Sequence, residues 1–148
     1  MRDFSELDGR LLVVFDGRCG FCNRSVRWLL RHDRRDRLRF VPYESPKIGD
    51  LLRRHGWGGA DVVVDPSTIV VVRDAGYPTE RVLVRSDGVI ALLRELPRPW
   101  PGVAAWMRLI PRQLRNLGYR LVARSRFTLW KRLETCPVPT AAERARFL

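Results

Sequence analysis

Five consecutive apolar residues, Leu11-Leu12-Val13-Val14-Phe15, stand between the turn pairs Asp8-Gly9 and Asp16-Gly17. A continuous apolar run of this kind suits a strand covered on both faces, hence the middle of an α/β sheet. Behind it the period changes. Val26, Leu29 and Leu30 recur at helical spacing with Arg24, Arg27 and Arg31 opposite, which predicts a helix with one buried face. The charged stretch 32–37 leads to a short strand, Leu38–Pro42, which Pro42 ends or places near an edge. Ser45-Pro46 predicts a second helix, with serine as cap, proline at the first position, and Ile48, Leu51 and Leu52 inward. Gly56-Trp57-Gly58-Gly59 breaks it.

The second half continues in the same order of elements. Ile69–Val72 is the most β-like run in the chain. With a turn at Asp74–Pro78 and a partner at Arg81–Arg85, it predicts an antiparallel hairpin. Ser86 or Asp87 is the expected cap of a helix reaching Leu96, after which Pro97, Pro99 and Pro101 break the chain. The rest is helical by pattern, with one stripe at Val103, Trp106, Met107 and Ile110 and another at Leu114, Leu117 and Leu121. The first two strands are too far apart for a hairpin and require a parallel β-α-β crossover. The fold class is α/β: β-α-β, then β-hairpin-α, then a helical extension.

Length and charge narrow this picture. The chain's 148 residues, 45% of them apolar, suit one domain with a proper core. No stretch has the roughly 18–20 apolar residues of a membrane span. Met1–Glu6 lacks the apolar core of a signal peptide, so the expected setting is cytoplasmic, with peripheral membrane contact left open. Of 28 basic residues 26 are arginine, against 16 acidic ones, and the net charge is +12. Residues 94–148 hold 12 of the basic groups and 3 of the acidic ones. That asymmetry makes the C-terminal third a candidate for an anionic partner or a membrane surface, with nucleic acid the less expected choice. A solvated face in an arginine-rich composition is the plainer reading.

The candidate chemistry lies where the first strand meets the first helix, at Cys19-Gly20-Phe21-Cys22. Three cysteines are too few for a disulfide scaffold, and a close pair in a reducing compartment points to redox catalysis or metal binding. Disulfide exchange needs a thiolate, and the unpaired N–H groups at a helix start lower a thiol's pKa. Cys19, nearer the turn, is the expected attacker, with Arg18 adding a positive field. Cys22, almost one helical turn on, is the expected resolving thiol. Asp16 either takes a proton from Cys22 during resolution or caps the loop. Cys136 is a third thiol with a structural, docking or auxiliary redox role. The rival reading is a zinc site in which Cys136, His32 or His55 joins the pair; it lacks a second closely spaced ligand pair. A strand ending in Asp-Gly also resembles the start of haloacid-dehalogenase-like phosphatases, but Arg18 occupies the position of their second aspartate.

Asp16-Gly17-Arg18-Cys19-Gly20-Phe21-Cys22 resembles the D-x-x-C-x-x-C signature of the DCC family of thiol–disulfide oxidoreductases. Arg39–Pro42, Thr68–Val72, Ser86–Val89 and the region from Tyr119 to Thr135-Cys136-Pro137 are similar to that family's later segments. The resemblance implies a thioredoxin-like redox domain over residues 1–96, with a basic helical extension, 97–148, packed on it. It implies dithiol–disulfide exchange with a protein or low-molecular-weight thiol substrate and calls for no cofactor. In thioredoxin-like proteins a cis-proline before a strand faces the thiols and binds substrate; Pro66 stands in that order here, and an ordinary loop proline is the alternative.

Overall fold

A computed structural model describes residues 7, 9–15, 20–43, 45–55, 69–129, 140–141, 143–147, without the side chains at 21, 47, 52 and 126–129. Among these residues the sheet has four strands, β1 (Leu11–Phe15), β2 (Leu38–Pro42), β3 (Val70–Arg73) and β4 (Arg81–Val84), in the order β2-β1-β3-β4. β1 runs parallel to β2, with Leu11 opposite Leu38 and Phe15 opposite Pro42. It runs antiparallel to β3, which pairs antiparallel with β4. Helix α1 (Gly20–His32) makes the crossover from β1 to β2, and α3 (Arg85–Glu95) follows the hairpin. This mixed α/β architecture is compatible with a thioredoxin-like fold.

Every residue of β1 is buried, as its unbroken apolar run predicts. Alternation divides those side chains between two cores. Leu11, Val13 and Phe15 meet Val26 and Leu29 of α1, Phe40 of β2, and Ile90, Leu92 and Leu93 of α3. Leu12 and Val14 meet Leu7, Val41, Ile48, Val70, Val72, and Leu51 of α2 (Gly49–Arg54). The expected Ser45-Pro46 opening is a 3-10 turn, Pro46–Ile48, that leads into α2. Gly88 lets α3 come close to the hairpin. A Cβ there would stand 3.2 Å from Val71 Cγ2 and 3.3 Å from the Leu83 carbonyl oxygen, tighter than ordinary contact.

The start of α3 departs from the expected cap. The helix begins at Arg85, whose φ is 54°, and its N-cap is Val84, with no side-chain capping hydrogen bond. Ser86 is buried and donates instead to Asn116 Oδ1 at 2.5 Å, while Asp87 pairs with Arg112 and Arg115. Both residues are recruited by α5 (Arg112–Leu129), a tertiary demand that local cap preferences do not encode. The proline break is also shorter than expected: α4 (Trp100–Arg108) contains Pro101 in its first turn, where a missing N–H costs nothing. The Arg98–Pro99 peptide is cis. Both α4 and α5 pack against α3. No helix among the described residues is long and apolar enough to cross a membrane.

Asp33, placed by pattern in a charged loop, is buried instead. Its carboxylate accepts the N–H groups of Arg37 (2.9 Å) and Leu38 (3.0 Å), and so fixes the turn from α1 into β2. Arg146 reaches the Asp33 carboxylate at 3.5 Å, and Phe147 bridges to Phe40, so the last described residues cover the open edge of β2. Asp33→Ala strands two N–H groups and should destabilise the protein by about 2–4 kcal/mol in urea unfolding. A change under half a kilocalorie or so would show that water satisfies them at little cost.

Glu80 joins the β3–β4 turn to the end of α2. It accepts from the Gly76 N–H (2.6 Å) and from Arg54 (3.1 Å), and lies 2.6 Å from His55 Nε2. Burial pushes its carboxyl up, but the hydrogen bonds from Gly76 and His55 and the charge of Arg54 prevail, so the net shift is below the ordinary 4.5. A depressed carboxylate stabilises the fold above its unfolded pKa, and that stability is lost as pH falls through the folded value. Glu80→Gln should therefore cost about 1–2 kcal/mol at neutral pH. Thermal melts of the two proteins should converge on acidification below the ordinary carboxylate pKa.

Candidate active site

β1 ends at Phe15 and helix α1 begins at Gly20, with Cys22 its third residue. No acidic side chain sits in its first turn, so nothing there opposes the positive end of the helix dipole. The Cys22 side chain is half-buried and packs against the core cluster of Phe15, Val26 and Leu29. Asp16, Arg18, Cys19, Pro66 and Cys136 lie outside the described residues. Of the predicted site residues, the structure therefore locates Cys22.

Beside Cys22 lies an apolar cavity of about 700 Å³. Its volume falls within the roughly 300–1,000 Å³ usual for small-molecule sites. Phe15 of β1 and Cys22, Trp28 and Leu29 of α1 form one wall. Val89, Leu92 and Leu93 of α3 form a second. Met107 of α4 and Tyr119, Val122 and Ala123 of α5 close the far side. Arg24, Ser25, Ser86 and Arg115 are its polar members. Arg115 is already engaged, 3.4 Å from Asp87 and donating to the Ile110 carbonyl.

Tyr119 ties this far side to the sheet. Its hydroxyl accepts the N–H of Ile69, the residue before β3, at 2.8 Å across 50 positions of sequence. Ile69 itself lines the cavity. The α5 residues facing the cavity, Arg115, Gly118, Tyr119 and Val122, recur at helical spacing. That stripe was legible in principle, but the more apolar Leu114, Leu117 and Leu121 stripe dominates the pattern and points to solvent.

Both histidines have other partners. His32 stacks on Trp28, with ring centroids 4.2 Å apart, and Trp100 meets Trp28 edge-on at 4.7 Å. His32 Nδ1 lies 2.8 Å from the Trp28 carbonyl oxygen, which can only accept, so Nδ1 carries the proton. It stands ten positions along α1 from Cys22, about 15 Å at 1.5 Å per residue, too far for one metal ion to bridge. His55 is held by Glu80. Among the described residues no three His, Cys, Asp or Glu side chains converge.

The sequence matches the family described as DCC1-like thiol-disulfide oxidoreductase over residues 13–132, a span containing the last three residues of β1, Cys22 and every wall of the cavity. The chain belongs to this family. Among its relatives, a chloroplastic DCC family protein of Arabidopsis thaliana is 29% identical over 133 residues, covering 90% of this chain and 72% of that protein. The uncharacterized protein YuxK of Bacillus subtilis is 24% identical over 144 residues, covering 97% and 98%. No solved structure matches significantly.

For this DCC family member, contact between the cavity and Cys22 has a direct readout. In a Cys19→Ser, Cys136→Ser background, an environment-sensitive apolar dye should bind with a blue shift and slow maleimide alkylation of Cys22. Ala123→Trp, which fills the space, should remove both effects. Dye binding that leaves the alkylation rate unchanged would separate the cavity from the thiol.

Proposed function

We propose that the protein is a thiol–disulfide oxidoreductase whose Cys19–Cys22 pair exchanges electrons with a protein or low-molecular-weight thiol substrate. The observation that carries this is the half-buried Cys22 in the first turn of α1, on the wall of an apolar cavity, in a chain of this family. The Cys19 thiolate attacks one sulfur of a substrate disulfide, forming a mixed disulfide and releasing the other substrate sulfur as a thiolate. The Cys22 thiolate then attacks Cys19 Sγ, releasing the second substrate thiol and leaving a Cys19–Cys22 disulfide. Two electrons pass from protein to substrate, and an external dithiol of lower potential restores the pair; the reverse sequence oxidises a substrate dithiol.

Further roles follow in this reading. The positive end of α1 and Arg18 favour the attacking thiolate. Asp16 accepts the proton that Cys22 gives up during resolution. Pro66 lies against the bound substrate, and Cys136 is an auxiliary thiol. Three cysteines and no scaffold of disulfides suit a reducing compartment such as the cytoplasm.

The test is a redox titration read by alkylation mass. A single two-electron transition linking Cys19 to Cys22 is expected. Cys22→Ser should trap a mixed disulfide at Cys19, and Cys19→Ser should abolish turnover. A pair that forms no disulfide at any accessible potential would remove this reading; a trap that engages Cys22 or Cys136 but never Cys19 would reverse the assignment of the attacker.

A further inference from the structure

Much of the apolar surface of the last two long helices does not face the core. On α4, Ala104 is buried and Met107 turns to the cavity, whereas Trp106 is 67% exposed and Leu109, just beyond the helix, 80%. On α5, Leu114, Leu117 and Leu121 are each more than half exposed. The spacing of these three gives one continuous stripe. The chain passes from α4 to α5 through Leu109-Ile110-Pro111, and both helices pack on α3. Five large apolar side chains, Trp106, Leu109, Leu114, Leu117 and Leu121, exposed on two consecutive helices mark a contact surface.

Charge identifies what covers it. Between Glu95 and Glu134 the chain has no acidic residue and nine basic ones. Arg108, Arg120 and Arg124 are exposed, and Arg120 and Arg124 run one turn apart alongside the Leu117–Leu121 stripe. A second copy of this chain would bring like charges together. A polynucleotide would satisfy the arginines but gain little from four leucines, since it is held by aromatic stacking rather than aliphatic contact. An anionic lipid surface meets both demands: acyl chains take the leucines and the tryptophan while headgroups take the arginines.

We infer that α4 and α5 form a docking face for an anionic membrane surface, with Trp106, Leu109, Leu114, Leu117 and Leu121 entering the interface and Arg108, Arg120 and Arg124 lying at the headgroups. The helices lie on the bilayer and do not cross it. This inference stands apart from the thiol chemistry and holds whether or not the cysteines turn over.

The experiment uses the full chain, with a Cys19→Ser, Cys22→Ser version as a second sample, and vesicles of phosphatidylcholine with or without phosphatidylglycerol. Cosedimentation is expected with the anionic vesicles, falling as salt rises. Leu109→Ser, Leu117→Ser and Leu121→Ser combined should weaken it by more than about tenfold. Each of Arg120→Gln and Arg124→Gln should weaken it about fivefold. These positions are exposed, so circular dichroism should be unchanged. Brominated lipid should quench the fluorescence, less so in Trp106→Phe. The Cys19→Ser, Cys22→Ser sample should bind as the parent does. The inference fails if anionic vesicles are not bound at low salt or if binding ignores the leucines. It also fails if a concentration-dependent dimer buries Trp106, or if single-stranded nucleic acid binds as tightly as vesicles and independently of the leucines.

Discussion

Burial of β1 on both faces is the constraint that the remaining structure satisfies. A strand whose five side chains are all apolar must be covered above, below and along both edges before water is excluded from it. The parallel partner β2 and the antiparallel partner β3 supply the edges. The faces are divided by alternation, with α1 and α3 covering one and α2 the other. The reach of α1 follows from this, since its Val26 and Leu29 must lie over Leu11, Val13 and Phe15. Cys22 is placed in consequence: it lies in the first turn of the crossover helix and shares a cavity wall with Phe15, the last residue of the most buried strand.

The same packing leaves a gap. Trp28, Leu92 and Met107 come from three helices that all serve one sheet face, and they do not close over Phe15 and Cys22. A cavity of that volume lined by apolar side chains is costly when empty and favourable when an apolar group fills it. Polar anchors stand near it but are mostly spent on structure. Ser86 is bonded to Asn116, and Arg115 is held by Asp87. Affinity in such a site rests on apolar contact, and orientation on very few groups.

Much of this was legible in the residues themselves. The run Leu11–Phe15, the helical face of Val26 and Leu29, and the hairpin about Asp74 to Pro78 are local patterns, and local patterns survive into the fold. Three things were not legible, each because its cause lies far along the chain. Ser86 and Asp87 read as caps until residues of α5, some 25–30 positions on, claim them. Asp33 reads as a surface charge until the buried N–H groups of Arg37 and Leu38 require an acceptor. Leu114, Leu117 and Leu121 read as a stripe like any other, and helical spacing alone does not say whether a stripe meets protein or solvent. The C-x-x-C spacing was evident at once, while its surroundings on the sheet are described for Cys22 and not for Cys19.

The hydrogen bond from Ile69 to Tyr119 has an evolutionary implication. It holds α5 in register with the sheet through one hydroxyl, while the neighbouring positions Val122 and Ala123 touch the cavity without belonging to either hydrophobic core. Changes there reshape the cavity wall and leave the strands untouched. The shape of the cavity beside Cys22 is thus free to drift along one face of a single helix, at little risk to folding, while the tyrosine keeps that face in place.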